Sequence, residues 1–103
     1  MSVITVTKEN FEAEVLQSAV PVLLDFWAPW CAPCRMVGPV VEEIAAERTD
    51  LKVGKINVDE EPELSGNFGV MSIPTLVVMK NGKVAESAVG ARPKAAILDM
   101  LGG

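Results

Sequence analysis

The segment Val20 to Trp27, VPVLLDFW, is short, β-prone and almost wholly apolar, with Asp25 as its one anomaly. A strand of that composition has no polar face to turn to water, so it belongs at the centre of a sheet covered on both sides. The rest of the chain supplies the cover. Val3 to Val6 reads as a first strand, followed by a helix from about Lys8 to Gln17 that buries Phe11, Val15 and Leu16 and takes Thr7 as its N-cap. A second helix begins near Cys31 and runs to about Arg48. Its apolar stripe is Met36, Val37, Val40, Val41 and Ile44, and Pro39, which lacks a donor and crowds the preceding turn, is expected to bend it. Lys52 to Val58 reads as another strand, and Asp59 with Pro62 opens a short helical segment ending around Gly66 to Gly69. Thr75 to Lys80 and Lys83 to Val89 flank Asn81-Gly82, a strong hairpin signal. A last helix follows Gly90, with Pro93 near its first position and Ile97, Leu98 and Leu101 apolar.

The order βαβαβαββα predicts an α/β fold: a mixed five-stranded sheet, parallel strands first and an antiparallel hairpin last, flanked on both faces by about four helices. With 103 residues, one domain spanning 1–103 is expected. Half of the residues are hydrophobic, enough to bury a core without a covalent staple, which frees the two cysteines for chemistry. A net charge of -5 argues against nucleic acid and against an anionic membrane surface, since both require a basic face. No apolar stretch approaches the roughly 20 residues that span a bilayer. Met1 to Phe11 shows neither a basic region nor an apolar core of a signal peptide, so a cytoplasmic location is expected. In that reducing compartment a close cysteine pair is more often redox-active or metal-binding than structural.

The pair lies in Trp27 to Cys34, WAPWCAPC, directly after the apolar strand. Functional groups of open α/β sheets gather beyond the carboxyl ends of the strands. Cys31 falls at a helix N-terminus, where unpaired N–H groups favour a thiolate, the nucleophilic form. Cys34 lies one turn on and can close a disulfide with Cys31, while Pro33 restricts the link. Two exchange steps follow: Cys31 attacks a client disulfide, then Cys34 attacks Cys31 and releases the reduced client. Three other readings compete. A structural disulfide over so small a loop contributes only roughly 2 kcal/mol. A zinc site needs four ligands, and the chain has two cysteines and no histidine. A cysteine hydrolase needs a base that the missing histidine does not provide.

Further marks are spread along the chain: Asp25-Phe26-Trp27-Ala28, Trp30-Cys31, Pro33-Cys34, Pro39, Lys55, Asp59, Ile73-Pro74-Thr75, Lys80-Asn81-Gly82 and Val89-Gly90-Ala91. With them the whole chain resembles the bacterial-type thioredoxin family. The resemblance implies the thioredoxin fold and a protein-disulfide reductase that binds no cofactor and works through a redox-active Cys31-Cys34 disulfide. It also implies oxidised client proteins and, as electron donor, a thioredoxin reductase that brings NADPH and FAD to the reaction. A monomer is expected. Asp25, whose pKa an apolar strand should raise, corresponds to the family's proton acceptor for the second cysteine, here Cys34, with Lys55 on the neighbouring strand as its partner. The resemblance makes Pro74 cis and turns it toward the cysteines, leaving the backbone of Ile73 free to pair with an extended client. Trp30, Ile73, Pro74, Val89 and Gly90 would form a shallow apolar client groove, with Ala32 and Pro33 beside it at the motif. Phe26 and Trp27 are read as packing residues.

Three residues depart from the family's pattern. Ala32 stands where Gly is most frequent, Ser72 replaces a frequent Gly, and Met71 occupies a position often charged. Ala32 bears on the redox set-point, because C-x-x-C proteins, thioredoxin among the reference cases, span potentials equivalent to roughly 7 kcal/mol. Met71 would either widen client contacts or fill space. Two other functions remain in play: an oxidase or isomerase on the same scaffold, and a binding module that uses the fold without its redox chemistry.

Overall fold

The structure, a computed structural model, describes residues 3–102; Met1, Ser2 and Gly103, at the ends of the expected domain, lie outside the described residues. Five strands form one sheet: β1 (Ile4–Thr5), β2 (Val22–Trp27), β3 (Lys52–Asn57), β4 (Thr75–Lys80) and β5 (Lys83–Val89), in the spatial order β1-β3-β2-β4-β5. The pairs β1/β3 and β3/β2 are parallel, and β2/β4 and β4/β5 are antiparallel. The apolar strand β2 is thus central, as its composition demands. Asn81 and Gly82 both have positive φ, 54° and 76°, the backbone that a two-residue hairpin turn requires and that Gly adopts without steric cost. Edge strand β5 is largely exposed, and Lys83 and Glu86 there discourage pairing with another edge.

Side chains alternate across a strand, so β2 sends Leu23 to one face and Val22, Leu24 and Phe26 to the other. The first face packs under α2 (Ala32–Glu47) and α4 (Lys94–Met100): Leu23, Val53, Leu76 and Val78 meet Val37, Val41, Ile44 and Ile97. The second packs under α1 (Glu12–Leu16) and α3 (Pro62–Asn67): Phe26, Ile56 and Val77 meet Val15 and Leu64. Asp25 and Trp27 share the parity of Leu23, and Lys55 shares that of Val53. All three therefore belong to the α2 face. The helix continues through Pro39 without interruption. No helix among the described residues is long and apolar enough to cross a membrane.

Three local expectations need correction. The helix expected over Lys8 to Gln17 shrinks to the single π-helical turn Glu12–Leu16, closed by Gln17 N–H donating to the Glu12 carbonyl at 2.9 Å. Thr7 caps no helix with its side chain. Instead the Asn10 side chain accepts from Thr7 N–H at 2.8 Å and donates to the Thr5 carbonyl at 2.9 Å, holding the preceding residues in a turn. Leu16 and Met36, placed in apolar stripes by spacing, are exposed. Spacing names a helix face, and the packing partners decide how much of that face is covered.

Close packing at the β1–β3–β2 contact leaves no space at Gly54. A Cβ there would come within 2.6 Å of Val6 Cγ2 and 3.3 Å of Leu24 Cδ2. Gly54→Ala is accordingly expected to lower stability by about 1–3 kcal/mol, the typical cost of overpacking. Urea unfolding checks this; an unchanged midpoint would show that β1 yields freely.

Candidate functional site

The cysteine pair sits where β2 ends and α2 begins. Cys31 has an extended backbone, φ -89° and ψ 109°, and is the N-cap of α2, with Ala32 and Pro33 exposed in the first turn. Its amide donates to the Ala28 carbonyl at 3.1 Å. Its Sγ accepts from the Cys34 N–H at 3.2 Å, so one of the unpaired donors of the helix start is directed at sulfur. The two cysteines are joined as a disulfide with Cα atoms 5.3 Å apart. Each is only 4% exposed, so accessibility does not tell them apart. Their neighbours do. Cys31 Sγ lies 3.8 Å from the Ile73 carbonyl oxygen, whereas Cys34 lines a recess of about 230 Å3 on the other side, with Trp27, Arg35, Gly38, Glu42 and Lys55 among its walls.

Asp25 is fully buried on β2, and neither carboxylate oxygen has a hydrogen-bond partner. Burial pushes its pKa up from 3.8 to about 6, and the positive charge of Lys55 offsets part of that rise. The two residues are Cα partners across β2 and β3. The expected direct pairing is nevertheless not formed. The Lys55 ammonium instead lies 4.3 Å from the centroid of the Trp27 ring, a cation–π contact, and acts on Asp25 only through space. A planar indole on the same sheet face offers the lysine a partner that keeps its head near water.

The Ile73–Pro74 bond is cis, and Pro74 is buried. A groove of about 350 Å3 runs beside it, lined by Trp30, Val58, Val70, Met71, Ser72 and Ile73. Trp30 is 66% exposed, and its Nε1–H donates to Asp59 Oδ2 at 2.9 Å, which fixes the ring at the groove edge. The expected groove set is therefore divided. Trp30 and Ile73 line the cavity, Pro74 lies buried beside it, and Val89 and Gly90 are not among its walls, although Gly90 N–H donates to the Pro74 carbonyl at 2.8 Å. Val58 and Val70 were not anticipated as groove residues. Both flank helix α3, and a lone valine after a strand or before a turn carries no signal of an exposed function. Met71, at 96% exposure, fills no space in the core.

Such an arrangement can exchange disulfides: a sulfur at a helix start, a second sulfur one turn on, and a carboxyl held partly protonated near neutrality. No group of three or more histidine, cysteine or acidic side chains is placed to hold a metal among the described residues.

Comparison with known proteins agrees with this chemistry. The thioredoxin family model matches residues 2–102. Thioredoxin 1 of Synechococcus elongatus is 52% identical over 97 residues, covering 93% of this chain and 91% of that protein. Thioredoxin of Mycobacterium bovis is 56% identical over 96 residues, 92% and 83% of the two chains. Thioredoxin of Bacillus subtilis is 49% identical over 102 residues, 98% and 96%. Family membership brings disulfide-bearing client proteins and a reductase partner in general terms, with the redox-active disulfide itself as the working group. A protein with this site, matched to these relatives over nearly its whole length, is a thiol–disulfide oxidoreductase and belongs to the thioredoxin family.

Proposed function

We propose that the chain acts as one unit in a reducing cytosol, reducing client-protein disulfides and recovering its own dithiol from an NADPH-dependent flavoprotein thioredoxin reductase. Cys31 is the attacking sulfur, forming a mixed disulfide as the client's other sulfur leaves as thiolate. Cys34 then attacks Cys31, the internal disulfide closes, and the second client sulfur leaves. Asp25 takes the Cys34 proton during that second step, and Lys55 steadies the resulting charge from its place over Trp27. The client lies along the groove between Trp30 and Ile73, with the Ile73 backbone available to an extended segment and Ala32, Pro33, Val89 and Gly90 at the margins. The observation that carries this reading is the Cys34 N–H directed at Cys31 Sγ at 3.2 Å, because a donor at the helix start stabilises a thiolate on Cys31 and on no other sulfur.

The test is insulin disulfide reduction with NADPH and a thioredoxin reductase, followed as NADPH consumption. Turnover that depends on this protein is expected. Insulin reduction by dithiothreitol-charged protein without turnover from NADPH would leave the exchange chemistry and remove the proposed electron donor. No reduction in either format would favour the binding-module alternative.

A further inference from the structure

Among the described residues, the two large apolar side chains most open to water are both methionines, Met71 at 96% and Met36 at 72%. Met79 is buried and Met100 half-buried. Near-complete exposure means that Met71 contributes nothing to the core, yet it stands on the wall of the groove with Trp30 and Ile73. That groove leads to the reacting sulfur, since the Ile73 carbonyl lies 3.8 Å from Cys31 Sγ. None of the groove's lining residues is charged, so the side chain on this lip decides whether the approach is apolar or polar. A thioether is soft and adaptable as a contact, and it is also a two-electron reductant that peroxide converts into a polar, chiral sulfoxide.

We propose that Met71 is a peroxide-sensitive modification site that sets the affinity of the groove for apolar client segments. The inference rests on the groove docking clients, as proposed above. In the oxidation, a sulfur lone pair of Met71 attacks one oxygen of hydrogen peroxide and the O–O bond breaks. That oxygen stays on sulfur, and the departing hydroxide takes the proton the transferred oxygen carried and leaves as water. Sulfur is oxidised by two electrons and the peroxide is reduced by two. A methionine sulfoxide reductase supplies the two electrons that restore the thioether, releasing the oxygen as water. The Cys31-Cys34 chemistry is untouched in this step, so the modification regulates which clients dock and leaves the exchange reaction itself intact.

The experiment starts from the protein in its disulfide form, in which neither cysteine has a free thiol for peroxide to attack. After treatment with hydrogen peroxide, peptide mass spectrometry locates the added oxygen; the protein is then reduced and assayed on a disulfide peptide flanked by apolar residues. Met71 is expected to oxidise before Met79 and Met100, and KM for the peptide to rise about tenfold with kcat little changed, a fold-change equal to about 1.4 kcal/mol of lost docking. In Met71→Leu, KM is expected to be the same before and after peroxide, whereas Met36→Leu retains the rise. A KM rise that persists in Met71→Leu, or Met71 sulfoxide with no change in KM, would overturn the proposal. Untreated Met71→Glu separates the two layers: if it leaves KM unchanged, the docking role of the groove falls; if it raises KM while sulfoxidation does not, only the peroxide switch falls.

Discussion

Replacing Cys31 with serine is expected to leave no measurable disulfide reduction, whereas replacing Cys34 with serine should permit one attack and then hold the client as a stable mixed disulfide. The asymmetry does not come from exposure, because both residues are 4% exposed. It comes from position. Cys31 Sγ receives the helix-start N–H of Cys34 and borders the Ile73 backbone, the proposed docking edge for a client, while Cys34 lines the recess on the opposite side. A serine hydroxyl at position 31 lacks the acidity and polarisability that exchange requires, so the first step is lost. At position 34 the same change removes only the second nucleophile. Non-reducing electrophoresis of Cys34→Ser with a disulfide-bearing client should show a covalent adduct that dithiothreitol dissolves. An adduct on Cys34 in the Cys31→Ser protein, with none on Cys31 in the Cys34→Ser protein, would reverse the proposed roles.

Asp25→Asn should change two quantities that have a single origin. The carboxyl titrates at 3.8 when unfolded and at about 6 in the folded chain, chiefly because burial disfavours the anion. Between those values the native protein holds a proton that the unfolded chain has released, so stability falls as pH rises through this window. The contribution is fully present below 3.8 and lost above about 6, and the interval corresponds to roughly 3 kcal/mol. Asparagine does not titrate. The stability of the native protein relative to Asp25→Asn should therefore decline by that amount from acid to neutral pH, as read from urea unfolding at a series of pH values. A difference independent of pH would mean that Asp25 is as well solvated in the folded chain as in the unfolded one. The second quantity is client release, which is expected to slow by about a hundredfold at neutral pH, at the low end of what a positioned base contributes. The initial attack by Cys31 should change far less. A buried, unpaired acid is costly to keep ionised, and the proposed use as a proton acceptor would give that cost a function.

What could be read in the sequence followed the strength of the local physical constraint. The run Val20–Trp27 reads as a covered strand and forms one over Val22–Trp27, Asn81-Gly82 reads as a tight turn and adopts one, and the resulting element order matches the observed mixed sheet. Cys31 at the head of α2 was equally plain, because the strand ends four residues before it. The segment Lys8 to Gln17 was less legible. Its apolar spacing suits a helix, yet Asn10 offers the backbone a competing side-chain partner and only one turn forms. Leu16 and Met36 illustrate a second limit: helical spacing sets direction, while burial depends on whether a neighbouring element covers that part of the surface. Lys55 illustrates a third. Opposite charges on adjacent strands suggested an ion pair, but the Trp27 ring on the same face competes for the ammonium, and no pairwise reading of charges includes it. The groove walls Val58 and Val70 were silent for a similar reason, since they acquire their role only from the packing of α3 and the cis-proline loop around Trp30.

In the proposed function the Cys31-Cys34 pair is poised to give electrons to client disulfides. Equilibration of the protein with defined mixtures of reduced and oxidised glutathione, read by alkylation of the free thiols and mass spectrometry, tests it most directly. A dithiol more reducing than the glutathione couple is predicted, so that the pair stays substantially oxidised until glutathione is almost wholly reduced. A pair that remains a dithiol in strongly oxidised glutathione would contradict the account and mark the protein as a donor of disulfides.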